Sequence, residues 1–139
     1  MSVATIMDAL AEQIEDQLGT AIPNLQVENR LHPNPSPPAI DIYPGTPFTE
    51  VIAYGSRHQY WFTVRARVLT ADNEAGQDLL LAMMDADEDE SVETAIRSVR
   101  IYAGAKLGNI EGPTEYGIFT DSGGEGSLLG CTWRVAVIP

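Results

Sequence analysis

The chain has 139 residues, of which 44% are hydrophobic and 20% charged, so one folded core is affordable in length and wholesale disorder is excluded. Twenty acidic residues against eight basic ones give a net charge of −12 and a pI near 4.3, which argues against a basic groove for nucleic-acid phosphate and against an anionic membrane surface. The lone cysteine, Cys131, permits no intrachain disulfide. No signal-peptide pattern opens the sequence and no segment approaches the ~20 apolar residues of a membrane span, so a soluble protein made in a cytoplasm is expected.

From Val3 to Leu18, the apolar residues Val3, Ile6, Leu10, Ile14 and Leu18 recur at helical spacing, opposite Asp8, Glu12, Glu15 and Asp16. This predicts an amphipathic helix capped by Ser2 and stopped at Gly19. Leu25 to Val27 is a candidate first strand. Prolines between Pro33 and Pro47 exclude a helix there, and Ala39 to Tyr43 alternates as a short strand before the turn residues Pro44 and Gly45. Thr46 to Arg57 is then expected to be the loop of a wide hairpin, or an arm.

Tyr60 to Thr70 carries the strongest pattern. Tyr60, Phe62, Val64, Ala66 and Val68 alternate with Trp61, Thr63, Arg65 and Arg67, as in a long strand with an apolar face and a cationic one. Leu79 to Met84 predicts a helix capped at Asp72 or Asn73. The run Asp85-Ala86-Asp87-Glu88-Asp89-Glu90 follows, and Ser91 caps a further helix ending near Gly104. Thr114 to Thr120 and Leu129 to Ile138 read as a hairpin joined by Asp121 to Gly126, with Cys131 and Trp133 on the apolar side of the last strand and Arg134 on the other. The fold class is α+β: a single domain over 1–139, with a mainly antiparallel sheet of about four or five strands against two or three helices.

Catalytic constellations are scarce. His32 and His58 neighbour no serine in a nucleophile-elbow context, and Gly124-Glu125-Gly126-Ser127-Leu128 lacks the second glycine and precedes a strand. One Cys and two distant His make no standard zinc site. Asp85, Asp87 and Asp89 imitate a calcium loop, but Glu90 and Ile96 stand where glycine and glutamate are required. No enzyme, cofactor or metal is expected. Trp61, Arg65, Arg67 and Arg134 share a face and are the candidate subunit or partner interface, since arginine and tryptophan are enriched at such surfaces. A cap of the sheet, with the arginines paired to local acids, is the equal alternative.

The order of elements resembles the tail terminator, or tail-completion, proteins of long-tailed bacteriophages. The resemblance rests on the Val3 to Leu18 helix, the proline-led Pro37-Pro38-Ala39-Ile40-Asp41-Ile42, the aromatic Tyr60-Trp61-Phe62-Thr63-Val64, Glu74-Ala75-Gly76-Gln77-Asp78-Leu79-Leu80, and Thr132-Trp133-Arg134-Val135-Ala136-Val137. It implies a structural virion protein, assembled in the host cytoplasm and located at the tail–neck junction. As a homohexameric ring it would cap the tail tube protein, stop its polymerisation and meet the head-side connector or stopper while DNA passes. Asp85, Asp87, Glu88, Asp89 and Glu90 are the candidate acidic lumen surface, where like charge would let DNA slide. The loops Arg30 to Pro38 and Pro47 to Arg57 are candidates for contacts with neighbours. Reversing Arg65 and Arg67 to glutamate is expected to prevent ring formation and spare the fold. Alternatives are another neck or head-completion protein, a non-viral acidic binding module, and a small hydrolase or isomerase of unrecognised type.

Overall fold

The computed structural model describes residues 2–32, 36–53, 57–69, 74–120 and 127–139. Its elements in chain order are α1 (Val3–Leu18), β1 (Gln26–Glu28), β2 (Ala39–Ala53), β3 (Arg57–Val68), α2 (Glu74–Met84), α3 (Val92–Arg97), β4 (Ile101–Tyr102), β5 (Ala105–Thr120) and β6 (Ser127–Ile138). Among the described residues six strands form one sheet, in the order β1-β2-β3-β6-β5-β4. Only the β1–β2 pair is parallel. The α+β class therefore holds, with one more strand than the alternation predicts.

The two best-patterned stretches are neighbours at the sheet centre. Phe62 pairs with Val135, Val64 with Trp133 and Ala66 with Cys131, and all six side chains are fully buried. Their face of the sheet meets Ile6, Leu10, Ile14 and Leu18 of α1, Leu80 and Met83 of α2, and Val92 and Ile96 of α3 in one cluster. Each buried aliphatic of that kind contributes up to roughly 1.5–3 kcal/mol over exposure, an upper bound set by an extended unfolded chain. Helical spacing alone thus places α1 correctly. Ser2 has the extended backbone of an N-cap, although its side chain makes no capping bond; the turn is closed by the Ile6 N–H on the Ser2 carbonyl at 3.2 Å. Gly19 ends the helix in right-handed conformation, φ −62°, with a Cβ position only 2.6 Å from the Glu15 carbonyl oxygen. It is a close-approach glycine rather than a left-handed one.

Several boundaries depart from expectation. The strand expected at Leu25 to Val27 is β1, Gln26–Glu28. β2 does not stop at Tyr43: it runs to Ala53, so most of the expected Thr46 to Arg57 loop is strand. Pro47 is tolerated because the β2–β3 register shifts between Pro44, which still pairs with Phe62, and Thr49, so no ladder position calls for its N–H. α3 does begin at Ser91, whose Oγ accepts the Thr94 N–H at 3.1 Å, but it ends at Arg97 and not near Gly104. Ala103 and Gly104, at φ 50° and 88°, make a two-residue turn between Tyr102 and Ala105. β5 begins at Ala105 rather than Thr114, passing Gly112-Pro113 through a register shift between Glu111 and Thr114. The expected caps Asp72 and Asn73 and the Asp121 to Gly126 loop lie outside the described residues.

Cys131 is fully buried, as its place on the apolar face requires. Burial pushes its thiol from 9.0 up to about 12 and the Tyr102 phenol from 10.0 up to about 12. Both folded pKa values are raised, so the unfolded chain releases these protons first and stability is lost as pH rises from about 9 toward 12. Each group contributes a slope of about 1.4 kcal/mol per pH unit within its window. Urea midpoints measured from pH 7 to 11 are expected to fall above pH 9, with Cys131→Ala delaying the onset, while an aromatic disulfide reagent labels the native thiol only as fast as the protein opens. Prompt labelling of native protein would contradict this burial.

Candidate functional site

The sheet face opposite the helices carries Asp41 at its centre. The β2–β3 register sets Asp41 directly across from Arg65, with Ala39 across from Arg67. Arg65 donates through Nε at 3.0 Å to Oδ1 and through Nη2 at 2.7 Å to Oδ2, a bidentate pair. Arg67 Nη2 lies 3.3 Å from Oδ2, and the same oxygen accepts the His32 backbone N–H at 3.0 Å. Arg67 also donates to the His32 carbonyl at 2.5 Å. Asp41 is 1% exposed and Arg67 0%, so this is a desolvated charge cluster rather than surface decoration.

Aromatic rings flank it. The Arg65 guanidinium carbon is 5.2 Å from the Tyr43 ring centroid and 5.8 Å from that of Phe119. Tyr43 has its phenol pKa raised, chiefly by desolvation, with Arg65 working in the opposite direction and Asp41 and Glu115 adding to the rise. Gly130, across from Arg67, leaves room for this stack: a Cβ there would lie 2.5 Å from the Ala66 carbonyl oxygen and 2.9 Å from the Phe119 ring.

Trp61 and Arg134 form a second cluster on the same face. Arg134 sits 4.1 Å over the Trp61 ring and pairs with Glu111 at 2.8 Å. The four residues expected to share a face do share it, in two groups with separate acids. Trp61 is 4% exposed and Arg67 is buried, so within one chain neither offers much contact area. Reversing Arg65 and Arg67 to glutamate would set three carboxylates together in a desolvated place. That variant is now expected to unfold, not merely to lose assembly.

The acidic run is a turn between α2 and α3. Asp85, Asp87, Glu88 and Asp89 are exposed and Glu90 is half-buried. Asp85 Oδ1 accepts the Asp87 N–H at 2.9 Å, and the Glu88 carbonyl accepts the Ser91 N–H at 3.1 Å. Among the described residues no group of three or more His, Cys, Asp or Glu side chains is placed to hold a metal ion. Among the described residues no helix is long and apolar enough to cross a membrane.

Sequence reasoning passed over two features. In the sequence Asp41 stands only as part of a short strand; its position between Ile40 and Ile42, on the side of the strand away from the apolar face as the arginines are, is the available signal. The other is a cleft of about 120 Å³ lined by Arg97, Arg100, Lys106, Leu107 and Gly108. It forms where α3 ends and the β4–β5 hairpin returns, held by the Leu107 N–H on the Arg100 carbonyl at 2.8 Å. Arg97 reaches Glu93 at 3.3 Å, whereas neither Arg100 nor Lys106 has a carboxylate partner among the described residues.

No family model matches the sequence, and no curated protein matches it. Among solved structures, a chain described as "Virion of native gene transfer agent (GTA) particle" aligns with 99% of this chain and 100% of its own length, at 13% identity and a TM-score of 0.45. A likeness of that size carries no functional argument.

Proposed function

We propose that the chain is a non-catalytic structural protein of a phage-like virion that caps the tail tube as a homohexameric ring, stops tube polymerisation and meets the head-side connector. The observation that carries the reading is the incompletely covered sheet. β1 pairs only with Ala39 to Asp41 of β2, and β4 only with Ala105 and Lys106 of β5. Among the described residues the outer edges of two long strands continue unpaired beyond these short partners, and the same strands carry exposed apolar side chains on their faces, Val51 at 63% on β2 and Ile118 at 59% on β5, with Tyr116 also exposed. Long strand edges with exposed aliphatics are surfaces that proteins ordinarily cover, and one on each side of a sheet suits neighbours on both sides. The charge of −12 fits a channel past which DNA slides without sticking, with Asp85, Asp87, Glu88, Asp89 and Glu90 as its candidate negative surface.

The test is electron microscopy of particles produced with an early stop codon in this gene. Overlong tubes without heads are expected. Tails of normal length beside unattached, filled heads would assign a joining role instead, and normal particles would sink the reading.

A further inference from the structure

From the two cations, Arg100 and Lys106, that have no carboxylate partner among the described residues and line a cleft with Arg97, we infer that this cleft receives the acidic turn of a second copy of the chain, with Glu88 and Asp89 as the groups it binds; the inference rests on the ring reading. Of the eight basic residues, Arg30 pairs with Asp8, Arg65 and Arg67 with Asp41, Arg97 with Glu93 and Arg134 with Glu111. Arg100 and Lys106 are both exposed and line one cleft, where two cations with no carboxylate partner among the described residues attract an anion.

The chain's own acids are the fitting occupant. A protein of charge −12 repels nucleic-acid phosphate at long range, and repels its own copies too, unless they meet basic patch to acidic patch. α3 separates those patches. Glu88 and Asp89 precede it and line a hollow of about 430 Å³ with Gln17 and Thr20, while Arg100 and Lys106 follow it. A helix of six residues spans roughly 9 Å, so complementary charges stand at opposite ends of one short rod. On the ring reading these two different patches meet head to tail, a heterologous contact of the kind that closes into a ring. Glu88 and Asp89 then serve the subunit contact, and Asp85 and Asp87 remain for the lumen.

Lys106 is the single lysine of the chain, which makes the contact chemically addressable. Carbodiimide joins an amine to a carboxylate only when the two touch. Treating the full-length protein at low salt is expected to give a ladder of cross-linked species, with peptide mapping joining Lys106 to Glu88 or Asp89. Lys106→Arg should keep the oligomer seen by sedimentation velocity but lose the ladder. Arg100→Glu with Lys106→Glu, and separately Glu88→Lys with Asp89→Lys, should each weaken self-association at least tenfold while keeping the far-ultraviolet spectrum of the wild type, and mixing the two variants should restore it. Oligomers that survive both reversals, or a ladder joined through other residues, overturn the cleft contact and leave the ring reading standing. A wild type that sediments as a monomer at every concentration also overturns the cleft contact, whereas the ring reading falls only if particles from the stop-codon gene are normal.

Discussion

Asp41→Ala is expected to lower the free energy of unfolding by about 3–5 kcal/mol, the usual cost of removing one partner from a buried ion cluster. With a urea m-value of about 1–3 kcal/mol/M, the midpoint would fall by on the order of 2 M. The reason is asymmetry. Asp41 accepts from Arg65 twice, from Arg67 and from the His32 backbone, so its loss takes the paired carboxylate away from a fully buried guanidinium and from a half-buried one. The same logic says that the cluster is replaceable as a unit. Asp41→Leu with Arg65→Met and Arg67→Met removes the charges of these three residues at once and should recover most of the loss, since apolar residues of similar volume often match a buried ion pair. A single Asp41→Ala variant within about 1 kcal/mol of the wild type would show that water reaches and solvates the arginines.

Trp133→Ala should be as damaging on the other face, by about 3–5 kcal/mol. Its indole is fully buried across from Val64, beneath the helices, and is the largest fully buried side chain of the core. Three helices anchored by α1, α2 and α3 side chains in one cluster cannot collapse independently into the space left, so most of the cavity term persists. Trp133→Phe should cost distinctly less, because its ring keeps most of the apolar volume filled; both variants delete an indole N–H that has no hydrogen-bond partner among the described residues, so that term cancels between them. Thermal unfolding of the two variants checks the pair; equal losses would mean that a phenyl ring does not fill the space the indole leaves.

How much of this was legible in the sequence depended on which face of each element was covered. α1, β3 and β6 were readable because one face of each is apolar at a regular period. β2 beyond Tyr43 and β5 before Thr114 were hidden by Pro44, Pro47, Gly112 and Pro113, which sit at register shifts where strand grammar is suspended. α3 was overextended because Val99 continues the apolar period after Arg97, although the chain has already turned toward β4. The arginine face was located correctly as a face. What alternation cannot show is that the second face is also covered, for period two separates the sides of a strand without saying which side meets water. The Arg97, Arg100 and Lys106 cleft depends on a turn at Ala103 and Gly104 that no periodicity marks.

The two tryptophans fall on opposite faces of the sheet, Trp133 in the helix-covered core and Trp61 beneath the Arg134 guanidinium. The chain therefore carries one natural optical reporter for each layer. Emission from Trp61→Phe follows the packing of the helices, and emission from Trp133→Phe follows the charged side. A solvent or salt that loosens one layer before the other would separate the two signals in time and in denaturant, turning the chemistry of the sheet's two sides into a measurable order of events.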